Sequence, residues 1–234
     1  MGPTAGPQRV EVRVGNPRSM PPFVITARAA AGAPEGVDLV SGAGQEGPVG
    51  VPLGNPVVVA VTDQYGNPVP GVAVKARPRD GGVADSVVLT DSAGRVAVRW
   101  TLGRRAGTNL LRLRAGGVDT LVTVVAHAKA AEPANLTFVR PPETAAAGRP
   151  LPLPTLVTDA YGNPVPDALV LFQVSAGTLS AGRVMSDYQG EAATHWTPAN
   201  KPVEQSISAT VRGTTVKTTH TLRLVAGKGK PGAR

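Results

Sequence analysis

A repeat at constant spacing constrains this chain more than any other feature. The segment VTDQYGNPVPGVAV (61–74) returns as VTDAYGNPVPDALV (157–170), and TDSAGRVAVRWT (90–101) returns as SDYQGEAATHWT (186–197), both at an offset of 96 residues. Asp63 is thereby matched with Asp159, Tyr65 with Tyr161, Gly94 with Gly190 and Trp100 with Trp196. One offset through two separated blocks means two copies of a single unit, each of which must fold around its own core. The start of the chain joins the pattern. QRVEVRVG (8–15) followed by PFVITARAAAGAPEGVDLV (22–40) reads like TNLLRLRAGG (108–117) followed by TLVTVVAHAKAAEPANLTFV (120–139). The expected organisation is the closing hairpin of a partial unit over 1–32, complete units over 33–130 and 131–226, and a basic tail over 227–234. Such a chain reads as a cut from a longer array.

The strands follow from alternation. Val96, Val98 and Trp100 share one face, with Arg95, Ala97 and Arg99 on the other; Ala192, Thr194 and Trp196 repeat that register. Leu111 and Leu113 alternate with Arg112 and Arg114, and Val72, Val74 and Ala76 with Ala73, Lys75 and Arg77. Period two places one face in a core and one in water, as in antiparallel sheets. Gly-Asn-Pro (66–68 and 162–164) supplies turns, because Gly permits positive φ and Pro holds its predecessor out of the helical region. With no Cys and only 3% aromatic residues, the cores must be small aliphatics packed around the two Trp. The expected fold class is all-β: tandem immunoglobulin-like antiparallel β-sandwiches.

V-T-D-x-x-G-N-P-V-P-G-V-x-V, then T-D-x-x-G-x-A, then a strand containing Gly-Thr-Asn, resembles the bacterial Ig-like domain of group 1, the invasin and intimin type. Three separated blocks in the right order, twice, carry the resemblance along nearly the full length of both copies. It implies a tandem stalk segment of a bacterial cell-surface or secreted adhesin-like protein, extracellular and non-enzymatic. The expected partners are other Ig-like domains of the same array or neighbouring subunits, with host or cell-surface glycans as further ligands. The second copy departs from the pattern at Pro166-Asp167, where the first has Pro70-Gly71, and at 197–202. Both changes are expected to alter loop shape and leave the fold.

The net charge of +8 is unevenly spread. Residues 1–32 carry four basic and one acidic side chain, 131–226 carry seven of each, and 227–234 carry three basic and none acidic. An excess gathered at the ends is not the concentrated basic face that nucleic acid asks for, so no nucleic-acid partner is expected. No apolar run is long enough to span a membrane as a helix. GAGQEG (42–47) is followed by Pro and Gly rather than by a helix, so it reads as a flexible inter-strand loop and not a dinucleotide site. His127, His195 and His220 lack ligand-spaced partners. Asp63, Asp91, Asp159 and Asp187 recur beside turns and are expected to cap them rather than hold calcium. No catalytic group, cofactor or metal is expected. The one candidate surface is arginine-rich: if the strands carrying Arg95 and Arg99 and carrying Arg112 and Arg114 pair as a hairpin, those four and Arg104 and Arg105 of the connecting loop share a face suited to polyanions. A filament subunit assembling by strand addition through the N-terminal hairpin is the other alternative.

Overall fold

A computed structural model of the protein describes residues 3–15, 23–201 and 203–225. The basic tail expected over 227–234 therefore lies outside the described residues, as does the tip of the N-terminal hairpin. The chain divides into two compact units, residues 1–129 and 130–234.

The first unit opens with β1 (Gly6–Val12) and β2 (Phe23–Ala29), an antiparallel pair in the register Gly6↔Ala29 to Val12↔Phe23. Ten strands follow: β3 (Gly36–Ser41), β4 (Glu46–Pro48), β5 (Val57–Thr62), β6 (Ala73–Pro78), β7 (Gly82–Val83), β8 (Val87–Leu89), β9 (Arg95–Val98), β10 (Trp100–Thr101), β11 (Gly107–Ala115) and β12 (Leu121–Lys129). One sheet runs β3-β5-β9, with the β10–β7 ladder beside it; the other runs β4-β12-β11-β6-β8. The second unit comprises β13 (Asn135–Phe138), β14 (Thr144–Ala146), β15 (Leu151–Thr158), β16 (Leu169–Val174), β17 (Thr178–Leu179), β18 (Arg183–Met185), β19 (Glu191–Thr197), β20 (Glu204–Val211) and β21 (Lys217–Val225). Its sheets run β13-β15-β19-β17 and β14-β21-β20-β16-β18. The two units thus share one topology, the two-sheet immunoglobulin-like sandwich that the alternation predicts.

The inward register is the one read from the sequence. Val96, Val98 and Trp100 are buried, as are Ala192, Thr194, Trp196, Leu111 and Leu113. Each indole is satisfied at equivalent places: Trp100 Nε1 donates to Asp80 O at 3.3 Å and Trp196 Nε1 to Ala176 O at 2.9 Å. An indole that fills the core and still finds an acceptor can be wholly buried without an orphaned donor. The repeat extends into positions that share no sequence. Asn109 Oδ1 accepts the Gly103 amide at 2.7 Å, and Gln205 Oε1 accepts the Ala199 amide at 3.1 Å, again 96 residues on.

Two local features differ from expectation. GAGQEG is a pinned crossover rather than a flexible loop: Gln45 Nε2 donates to Gly42 O and Asn55 O, and Gln45 Oε1 accepts the Asn55 amide. It ends in β4, which pairs parallel with β12 (His127↔Glu46 to Lys129↔Pro48). The turn at Asp167 also keeps its shape. Asp167 takes φ 58° where Gly71 takes 73°, and its amide donates to Ser186 O as that of Gly71 does to Thr90 O. Asp is among the few side chains that tolerate this left-handed conformation.

Candidate functional site

The turns flagged by Asp-x-x-Gly-Asn-Pro form the most heavily bonded polar site in each unit. Asp63 directly follows β5 and is almost fully buried, an exceptional state for a carboxylate. Its Oδ1 accepts the amides of Tyr65 and Asn67, each at 2.9 Å, closing the turn that Gly66 enters at φ 78°. Its Oδ2 accepts Asn67 Nδ2 at 2.9 Å and the Gly32 amide at 2.8 Å. The last bond reaches back to the segment between β2 and β3. Four donors aimed at one carboxylate favour its charged form. The Asn67 side chain, with the Gly32, Asn67 and Tyr65 amides added, outweighs burial and holds the Asp63 carboxyl at about 2.

Asn67 then turns the bonding outward to the N-terminal hairpin. Its Oδ1 accepts the Ala5 amide at 2.8 Å and its Nδ2 donates to Pro3 O at 2.7 Å. Asp63 and Asn67 together therefore hold the segment leading into β1 and the segment leaving β2. A recess of about 280 Å³ between Ala5, Arg28, Gly32, Tyr65 and Asn67 marks the junction.

Asp159 repeats the arrangement within the second unit. Its Oδ1 accepts the Tyr161 and Asn163 amides at 2.8 and 2.9 Å, and its Oδ2 accepts Asn163 Nδ2 at 2.8 Å and the Ala131 amide at 3.0 Å. Burial pushes this carboxyl up, but the bonds from the Asn163 side chain and the Ala131, Asn163 and Tyr161 amides more than offset it and lower it on balance. Sequence alone identifies these Asp as turn caps and misses both their burial and their reach to the preceding segment.

Asp91 and Asp187 are plain caps. Asp91 Oδ1 accepts the Ala93 and Arg95 amides, and Asp187 Oδ1 the Gln189 and Glu191 amides. Among the described residues no three His, Cys, Asp or Glu side chains converge as a metal site. His195 and His127 are exposed, while His220 is half-buried, its Nε2 2.7 Å from Pro142 O.

The expected arginine hairpin does not form. β9 pairs with β5, and β11 pairs with β12 and β6, so the chain between them crosses from one sheet to the other. Arg95 and Arg99 therefore face outward from one sheet and Arg112 and Arg114 from the other, with Arg104 and Arg105 exposed in the crossover. The six do not share a face. The sandwich instead brings Arg112 opposite Arg77 and Arg114 opposite Lys75.

Residues 145–225 match the family model of the bacterial Ig-like domain (group 1). The second unit is a group 1 bacterial Ig-like domain. Among solved structures, FdeC, an adhesin of Escherichia coli, is similar over 95% of this chain and 74% of its own at 18% identity, with a TM-score of 0.55. InvD of Yersinia pseudotuberculosis is similar over 85% of this chain and 60% of its own at 15% identity, with a TM-score of 0.52. At such identities the likeness establishes the fold alone, the immunoglobulin-like β-sandwich. No curated protein matches the chain. The first unit shares the strand order, the buried Asp turn and the Trp bond of the Ig-like domain that follows it.

Proposed function

We propose that the chain is a load-bearing spacer of a bacterial surface or secreted adhesin-like protein, non-enzymatic, with residues 1–32 closing a preceding Ig-like domain. The observation that carries this reading is the pairing of short early strands with the last strand of each unit. β4 lies parallel to β12, and β14 lies parallel to β21 through Thr144↔Arg223, Ala145↔Leu224 and Ala146↔Val225. Ladder bonds run roughly across the strands, and tension applied at the two ends of a unit pulls parallel partners past one another. Several bonds must then fail together, whereas an end-to-end antiparallel pair opens one bond at a time. Main-chain capture of Gly32 by Asp63 and of Ala131 by Asp159 ties the segment ahead of β3 and the segment ahead of β13 each to the sheet of its own unit. FdeC and InvD suggest the setting, an extracellular one in which further Ig-like domains and a binding region elsewhere in the protein would be the partners.

Single-molecule extension of the full chain tests the proposal. Two separate unfolding events are expected, each releasing about 95 residues, or roughly 330 Å at ~3.5 Å per residue. Ala145→Pro removes a main-chain donor from β14 and should lower the force of one event while leaving its length unchanged. Smooth extension without discrete events, or an unaltered force in the variant, would refute a load-bearing role.

A second reading, filament assembly by strand addition, is favoured by one observation. Val10 lies opposite Ile25 and Val12 opposite Phe23, and all four are exposed on the β1–β2 pair. Sedimentation of the chain with and without residues 1–32 separates the readings: oligomers that vanish on deletion support assembly, and monomers in both cases exclude it.

A further inference from the structure

A different set of cations does share one face of the first unit. On β6 and β11 the side chains of Lys75, Arg77, Arg112 and Arg114 alternate with buried Val74, Ala76, Leu111 and Leu113, so all four point outward from one sheet. Arg112 faces Arg77 and Arg114 faces Lys75 directly across the ladder. Neighbouring strands lie about 4.8 Å apart and alternate residues about 6.8 Å apart, which sets the four stems in a compact two-by-two array. Like charges directly opposite each other oppose sheet formation. β6, β8, β11 and β12 contain no acidic residue to offset them. The nearby carboxylate is that of Asp119, 3.7 Å from Arg114 Nη2 at one corner on a fully exposed side chain.

The fold does not require this charge. The equivalent positions of the second unit, 96 residues on, are Leu171, Gln173, Ser208 and Thr210, paired in the same register (Leu171↔Thr210 and Gln173↔Ser208). The same ladder therefore forms without a cation. Only the first unit concentrates four of them, over a shallow depression of about 670 Å³ that reaches Gly116 and Leu121.

We propose that this face binds a linear sulfated polysaccharide. Guanidinium groups take sulfate oxygens in a bidentate fork, and two rows of cations match a chain carrying anions at repeated intervals better than a single small anion. Exposed Val87, Leu89 and Leu121 border the cations with apolar surface for the carbon faces of sugar rings. The four strands contain no Phe, Tyr or Trp on which bases could stack, which disfavours single-stranded nucleic acid.

The test uses the full chain and immobilised heparin as the probe, at several salt concentrations. A variant with Lys75→Gln, Arg77→Gln, Arg112→Ser and Arg114→Thr takes three of its four residues from the second unit. It is expected to bind at least tenfold more weakly than the parent at the same salt. A control with Arg95→Ser, Arg99→Ser, Arg104→Ser and Arg105→Ser loses the same charge and is expected to change less than twofold. The double variant Arg112→Ser/Arg114→Thr, with an intermediate loss, guards against a folding defect in the quadruple one. Equal losses in both quadruple variants would reduce the effect to net charge and overturn the proposal, and so would no loss in either. Tighter binding to an unstructured oligothymidine than to heparin would overturn the ligand class.

Discussion

Asn67→Ala should release the segment leading into β1 from the Asp63–Asn67 turn while leaving the sandwich folded. The side chain is 8% exposed and makes two bonds to that segment, to Pro3 O and from the Ala5 amide. At ~0.5–1.5 kcal/mol net per bond, the pair contributes about 1–3 kcal/mol to holding residues 3–5 in place. Since each 1.4 kcal/mol is tenfold, opening of that segment should become roughly 5- to 150-fold more frequent. Hydrogen exchange of the Ala5 amide in the full chain reads this directly, because the amide is protected by the bond that the variant removes. The amides joining β11 to β12 serve as the internal reference. If Ala5 accelerates no more than those core amides do, or by less than twofold, Asn67 is merely part of its own turn and the argument for a clamp fails.

Trp196→Ala removes the largest wholly buried side chain of the second unit and its bond to Ala176 O, and should cost about 3–5 kcal/mol in a denaturant titration. Two glycines of similar φ should respond differently to alanine. Gly66→Ala meets open space and should cost about 1–2 kcal/mol from φ alone, whereas Gly94→Ala places a Cβ 2.7 Å from Val61 O and should cost distinctly more by the same measurement. Acid should act through Asp63. Its folded-state carboxyl sits at about 2, below the ordinary 3.8, so its contribution is fully present above 3.8 and is lost as pH falls toward 2. Asp63→Asn should flatten the stability profile across that window, and superimposable acid titrations of the parent and the variant would contradict the assignment.

The fold was legible because its determinants are local. Val96-Val98-Trp100 and Leu111-Leu113 declare their buried faces by alternation, and the repeat at 96 residues returns in the structure as one strand order used twice. Strand partnership is not local, and there sequence misleads. Consecutive strands separated by a short connection suggest a hairpin, but in a two-sheet sandwich the link from β9 and β10 to β11 crosses between sheets. Arg95 and Arg112 are thus parted, while Arg77 and Arg112, far apart in sequence, are brought face to face. The outward alternation of Lys75 and Arg77 was visible in the sequence, but only the strand order gives it meaning. β4 and β14 were invisible for a different reason: each has three residues, too few for a period, and between them only Thr144 favours a strand. The burial of Asp63 and Asp159 was hidden too, since a polar residue beside a turn ordinarily stays wet. Only the converging main-chain amides make an interior site tolerable.

The bond from Asp63 to the Gly32 amide and that from Asp159 to the Ala131 amide address the peptide backbone and ignore the side chain, so glycine and alanine serve equally. Every residue except proline carries such a donor, so the acceptor asks almost nothing of the sequence that it holds. Both seams are therefore written in main-chain atoms, and the identity of the side chain at positions 32 and 131 is left free by the bond itself.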